Sequence, residues 1–247
     1  YEELEKVCDT VFYQEYDVNG TTYKNVVGYL GNVTKERIVV GAHYDVCGDQ
    51  EGADDNASAV VGMLETARLL AKDRPNDPIE FVAYCLEEPP FFRTEYMGSY
   101  VHAKSLFDNQ VKVKGMICLE MIGYFDEREN TQDYPVGFLS WFYGNKGDFI
   151  AVVQKYGNGQ FANRVSKLMK KQKLIKTKSI KGPTWLQGLD FSDHQNYWKF
   201  DYSAVMITDT AFYRNKNYHQ KTDTMETLDL PKMAKVIDQV FLTIKNI

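Results

Sequence analysis

The segment Ile38-Val39-Val40-Gly41-Ala42-His43-Tyr44-Asp45 decides the fold. Its first five residues form a short, continuous apolar run, the pattern of a strand buried on both faces. A histidine and an aspartate then stand at the point where such a strand leaves the sheet. The same arrangement recurs along the chain. Ile79 to Leu86 is a second buried strand and runs into Glu87-Glu88. Val113 to Leu119 is a third and runs into Glu120. Ser203 to Thr208 is a fourth, and His219 lies in the long loop after it.

Helical patterns fall between these strands. Ala57 to Ala71 carries apolar residues at helical spacing (Val60, Val61, Leu64, Ala67, Leu70), and the 74–78 segment breaks it. Ser99 to Phe107, Lys146 to Tyr156 and Asn163 to Lys171 read as helices, and Ser192 to Trp198 as a short one. Asp229 to Lys245 is a final helix with Asp229 as N-cap and Pro231 in the first turn. Val11 to Tyr16 and Thr22 to Leu30 flank Asn19-Gly20, a hairpin turn signal. Val136 to Tyr143 is expected to be a further strand. The alternation predicts a three-layer α/β/α sandwich with a mixed, mostly parallel central sheet and the hairpin at an edge. The 247 residues favour a single catalytic domain over residues 1–247.

Composition narrows the function. Hydrophobic residues make up 44% and charged residues 26%, values ordinary for a chain with a full core. The net charge of −5 argues against nucleic acid as partner. No apolar run is long enough to span a bilayer. The sequence begins at Tyr1 with no signal-like segment, as expected where the native start is missing, so export cannot be read from it. The four cysteines form no CxxC pair, which argues against a thiolate zinc site. Cys85 and Cys118 sit in apolar patterns and read as buried thiols; Cys47 falls close to the His43-Tyr44-Asp45 segment.

In open α/β sheets, sites form beyond the carboxyl ends of the strands. Carboxylates and imidazoles gathered there without sulfur make a donor set suited to Zn²⁺, with Co²⁺ or Mn²⁺ as alternatives. Charge counting favours two ions. Asp55, Glu88 and Glu120 carry three negative charges against the four positive charges of two divalent ions, and a shared hydroxide closes the count. Asp45, two residues after His43, can accept the imidazole N–H and fix its tautomer. In adjacent Glu87-Glu88 the side chains diverge, so one can bind metal while the other acts as general base on water.

The segments VVGAHYD, EGADDNASAV, YCLEEPPFFRTEYMGS, LEMIGY and YHQKTDT, in this order and spacing, resemble the M28 family of zinc aminopeptidases. The similarity covers roughly Val26 to the C-terminus. It implies His43, Asp55 and Glu120 around a first metal and Asp55, Glu88 and His219 around a second, with Asp55 bridging. It implies Asp45 behind His43, Glu87 as general base, and a cis peptide between Asp55 and Asn56. The implied activity is removal of N-terminal residues from peptides with a free N-terminus, through water activated by two zinc ions. The resemblance also leans toward a secreted or periplasmic setting. Ala59 stands where the family commonly has Gly, and Glu120 where some members have Asp.

Two other readings attach to the same fold. Glutaminyl cyclases resemble the family but are transferases with one zinc, and receptor-type relatives keep the fold as an inactive binding domain. GADDN and the retained His43 favour the two-metal hydrolase. Ser192-Asp193-His194 holds triad residue types, but consecutive positions cannot form a triad; either Asp193 and His194 support the site, as the resemblance implies, or Ser192 or Asp193 caps a helix. Arg164 to Lys181 holds eight basic residues and no acidic one, which reads as a solvated face or as a rim attracting acidic peptides.

Overall fold

The computed structural model describes all 247 residues. Eight strands form one sheet: β1 (Thr10–Val18), β2 (Thr21–Leu30), β3 (Arg37–His43), β4 (Ile79–Tyr84), β5 (Val113–Glu120), β6 (Ile150–Lys155), β7 (Thr177–Gly182) and β8 (Ala204–Thr208). Their order across the sheet is β1-β2-β4-β3-β5-β8-β6-β7. The four central strands β4, β3, β5 and β8 are mutually parallel. The β1–β2 hairpin joins β4 antiparallel, and β6 joins β8 antiparallel with β7 parallel beyond it. The sheet is mixed with a parallel centre, as expected.

The central strands bury both faces, so successive residues serve opposite layers. Ile38, Val40 and Ala42 of β3, with Phe81 of β4 and Ile117 of β5, pack with α2 (Ala59–Lys72), α5 (Gly159–Gln172) and α7 (Leu230–Lys245). Val39, Val82, Met116 and Cys118 pack on the other face, under α3 (Gly98–Asp108) and α6 (His194–Lys199). Two short helices, α1 (Glu2–Glu5) and α4 (Leu139–Tyr143), complete the set. Asp229 caps α7 by accepting from the Lys232 N–H at 3.0 Å. No helix is long and apolar enough to cross a membrane.

The chain leaves β3 for β4 on one side, and leaves β4 for β5 on the other. The reversal places β3 at a topological switch point, where a crevice opens beyond the strand ends. His43 ends β3, Glu120 ends β5, and Glu87 follows β4 by three residues, all at this edge.

Two expectations fail, and one strand has no counterpart among them. Val136 to Tyr143 is not a strand but a loop leading into α4. It has no partner strand, and its aromatic side chains Phe138, Trp141 and Phe142 are exposed, so β-propensity had nothing to pack against. Lys146 to Tyr156 is not helical, because Ile150–Lys155 forms β6. A short apolar run has no period that separates strand from helix, and pairing with β8 decides it. β7 escaped the sequence reading because it is a half-exposed edge strand of polar composition. The basic 164–181 stretch runs along α5 and β7, and none of its cationic residues lines the cavity described below.

Gly41, within the segment that decides the fold, is required by packing. A Cβ there would stand 2.3 Å from Cε2 and 2.7 Å from Cζ of Tyr84. Tyr84 is fully buried and its hydroxyl is fixed against that of Tyr197 at 2.7 Å. Gly41→Ala should therefore cost at least the ~1–3 kcal/mol typical of overpacking, read as a lowered urea midpoint. A midpoint equal to that of the parent would show that Tyr84 has room to move.

Candidate metal centre

All seven residues singled out in the sequence meet at the carboxyl end of the parallel strands. His43 is buried at the end of β3. Asp55 sits in the kinked segment Ala53–Ser58 that leads into α2, with non-helical backbone at Asp55 and Asn56 and a cis peptide between them. Glu87 and Glu88 are buried beyond β4, Glu120 is buried at the end of β5, and His219 is about one quarter exposed in the loop after β8.

Distances divide the cluster into two groups around Asp55. The His43 Nε2 atom lies 3.5 Å from Asp55 Oδ1 and 3.3 Å from Glu120 Oε2. The His219 Nε2 atom lies 3.2 Å from Asp55 Oδ2 and 3.2 Å from Glu88 Oε2. Two ligands of one tetrahedral ion, each about 2.0–2.2 Å from it, stand about 3.3–3.6 Å apart. The His43 group falls within that spacing and the His219 group just below it, and each uses a different oxygen of Asp55. Asp55 Oδ2, Glu88 Oε1 and His219 Nε2 are also buried without hydrogen-bond partners. Atoms left so are costly unless a cation satisfies them. The donor set therefore fits two divalent ions. Glu87 Oε2 lies 3.9 Å from His43 Nε2, farther than the spacings within either group, although donors of Glu87, His43 and Glu88 also fall within 4.8 Å of one another.

The electrostatics agree. Burial raises the carboxyls of Glu87, Glu88 and Glu120 above their ordinary range, Glu87 most of all. Burial alone would lower both histidines. Glu120 and Glu87 nonetheless hold His43 well above its usual value, and the neighbouring carboxylates of Asp55 and Glu88 carry His219 up to about 9. A pocket that holds protons this firmly on imidazoles is a pocket of surplus negative potential, which divalent cations neutralise at the same atoms.

The supporting contacts show what spacing alone could not. The His43 Nδ1–H faces the backbone carbonyl of Asp45 at 3.1 Å, closer than the Asp45 carboxylate at 3.5 Å. That carboxylate instead accepts the backbone N–H of Glu87 at 3.2 Å and of Glu88 at 3.0 Å. Asp45 thus ties the β3 ligand to the β4 pair. Asp223 does the same for Asp55, its two oxygens accepting the N–H groups of Asp54 and Asp55, both at 3.0 Å. Glu120 Oε2 accepts from Ser192 Oγ at 2.7 Å and from Asn56 Nδ2 at 3.2 Å. Asp223 has no role in the sequence reading, and Ser192 only that of a helix cap. Asp223 stands inside YHQKTDT, four residues past His219, and that proximity was the only signal for it.

Of Ser192-Asp193-His194, the first two belong to the site's surroundings. Asp193 occupies the N-cap position of α6 but makes no capping bond. Burial pushes its carboxyl to about 7, and it is near enough to feel the charges of His43, Glu120 and Asp45. His194 turns away, with Nε2 facing the Leu189 carbonyl at 2.8 Å and its ring edge-on to Trp198.

A cavity of about 260 Å³ opens from the cluster. Asp55, Glu87, Glu88, Glu120 and His219 form its polar end. Phe92, Ile180, Leu186, Phe191, Met206 and Phe212 contribute to an apolar wall, and Tyr218 stacks on His219 with ring centroids 3.8 Å apart.

The model of peptidase family M28 matches residues 25–244. The uncharacterized protein YfbL of Escherichia coli is 45% identical over 241 residues, covering 94% of this chain and 74% of that protein. Leucine aminopeptidase 1 of Emericella nidulans is 23% identical over 226 residues, covering 85% of this chain and 52% of its own length. Among solved structures, the LapA aminopeptidase of Legionella pneumophila superposes with a TM-score of 0.72 at 20% identity, over 99% of this chain and 60% of that one. The glutaminyl cyclase of Bacteroides thetaiotaomicron gives 0.71 at 21% identity, over 100% and 87%. Both likenesses place the fold among the zinc exopeptidase sandwiches. The chain thus spans about three fifths of LapA and half of the Emericella enzyme.

The Asp223 contacts make a direct prediction. Asp223→Asn keeps the size but replaces one of the two acceptors with a donor facing an N–H. Metal affinity at the Asp55 positions should fall about 10–100-fold, measured as bound zinc at fixed free zinc. Unchanged affinity would mean that Asp55 holds its place without Asp223.

Proposed function

The chain belongs to peptidase family M28, and on that premise we propose that it is a two-zinc aminopeptidase, hydrolysing N-terminal residues from peptides. The observation that carries this reading is the Asp55 carboxylate, each of whose oxygens faces a different histidine-containing group. A single-ion transferase needs no such division. The nitrogen and oxygen donors suit Zn²⁺, with Co²⁺ or Mn²⁺ able to replace it.

The side chains divide the work. His43, Asp55 and Glu120 would hold one ion, and Asp55, Glu88 and His219 the other. When bound, the ions would polarise the scissile carbonyl and lower the pKa of the attacking water. Glu87 stands beside the cluster with its carboxylate free, takes the proton from that water and delivers it to the nitrogen of the departing peptide. Burial, before any cation is counted, raises its carboxyl well above the ordinary range. Asp45, holding the backbone N–H groups of Glu87 and Glu88, keeps the base aimed while the neighbouring carboxylate binds metal.

Selection of the N-terminus follows from charge and shape. Carboxylates crowd the polar end of the cavity, which attracts a free α-ammonium group, and Glu120 helps hold it. The side chain of the first residue then lies along the apolar wall, which favours Leu, Met or Phe over Asp or Glu.

Two measurements test this. Glu87→Gln should retain close to two zinc ions per chain while turnover of aminoacyl substrates falls roughly 10²–10⁴-fold; retained turnover removes Glu87 from the base role. In a panel of aminoacyl chromogenic substrates, kcat/KM for Leu should exceed that for Gly by roughly tenfold or more, with free amino acid as product. Cyclised N-terminal glutamine in its place would favour the transferase.

A further inference from the structure

The loop between His43 and Asp55 places a thiol beside the second group of ligands. Cys47 Sγ, a Glu88 carboxylate oxygen and a His219 ring nitrogen all lie within 4.8 Å of one another. Around a tetrahedral ion, a thiolate sulfur sits about 3.5 Å from each nitrogen or oxygen ligand, so a displacement of little more than about 1 Å closes the set. The backbone has that freedom: Gly48 follows directly, in the left-handed region at φ +69 with open space around it.

Two further observations bear on whether the thiol is a bystander. Glu88 Oε1, on a side chain more than nine-tenths buried, is unpartnered, and a Glu88 carboxylate oxygen lies within 4.8 Å of Cys47 Sγ; Asp55 Oδ2, equally buried and unpartnered, lies 3.2 Å from His219 Nε2. Beyond Gly48 the loop is anchored. Asp49 pairs with Lys221 at 2.8 Å, and Asp223 accepts from Asp54 and Asp55 while its carbonyl accepts from Ala53. These contacts tie the 49–55 segment, which follows the thiol, to the His219 loop. An exposed pair such as Lys221–Asp49 contributes little energy, so the buried Asp223 contacts are the main anchor.

The geometry points to Cys47 as an additional, sulfur ligand of the ion held by Asp55, Glu88 and His219. This rests on the two-ion reading above and adds to it a selectivity. As the sulfur–metal bond forms, the thiol proton passes to solvent. A sulfur donor discriminates by softness, favouring Zn²⁺ or Co²⁺ over Mn²⁺ or Mg²⁺ at that position, whereas the His43 group has only nitrogen and oxygen donors.

Cobalt reports the bond directly. Protein stripped of metal and reloaded with two equivalents of Co²⁺ should show an intense near-ultraviolet thiolate-to-cobalt charge-transfer band. In Cys47→Ser that band should vanish, while two cobalt ions still bind at saturation and their visible d–d bands remain. Zinc affinity at the weaker position should fall about tenfold or more in the variant, with manganese affinity little changed. Two bound cobalt ions without the band, or a band that survives Cys47→Ser, would overturn the assignment and leave the two-ion reading standing. Wild-type protein that takes up no more than one cobalt ion would contradict the two-ion reading itself, and this assignment with it.

Discussion

The carboxylate of Asp55 lies between two imidazoles, 3.5 Å from His43 on one oxygen and 3.2 Å from His219 on the other. A buried carboxylate so placed, with Glu88 and Glu120 close by, is a concentration of negative charge that the interior cannot tolerate alone. Protons on the histidines relieve part of it, and divalent ions relieve it more completely. The fold has to bring these groups together from four strands and then hold them against their own repulsion. Much of what surrounds the site can be understood as meeting that demand.

The sheet meets it first, by reversing the direction of its connections at β3 so that the ends of the parallel strands border one crevice. Backbone clamps meet it next. Asp45 fixes the two N–H groups of Glu87 and Glu88, and Asp223 fixes those of Asp54 and Asp55, so each pair of adjacent acids is restrained through its main chain. The same devices serve the chemistry. In Glu87-Glu88, restraint of the backbone lets neighbouring side chains take different work, one facing His219 and the other standing apart. Gly41 contributes from within β3, where its missing Cβ leaves room for the Tyr84 ring.

The clustering of these carboxylates and imidazoles was legible in the sequence because their chemistry is rare where it was found. Carboxylates and imidazoles at the ends of buried apolar runs have few structural uses, and the order of five motifs is distinctive. The parallel core was legible for a related reason, since β3, β4, β5 and β8 are apolar on both faces. What stayed hidden depends on partners distant in the chain. β6 was taken for helix because a short apolar run carries no period, and β7 was missed because an edge strand needs few apolar residues. Residues 136–143 were expected to be a strand on local character alone, and no neighbour strand exists to pair with them. Asp223 and Ser192 act through hydrogen bonds to residues 168 and 72 positions away, which no local pattern announces. Asp45 was identified, but its larger part, the grip on Glu87 and Glu88, depends on β3 and β4 lying side by side.

The central claim is that one carboxylate is shared by two ion positions. Crystals of zinc-loaded protein, measured on both sides of the zinc absorption edge, would test it most directly. The account predicts two anomalous peaks about 3.5–4 Å apart, one beside His43 and Glu120, the other beside Glu88 and His219, with one oxygen of Asp55 directed at each. A single peak at full zinc loading, or two peaks that do not share Asp55, would contradict it.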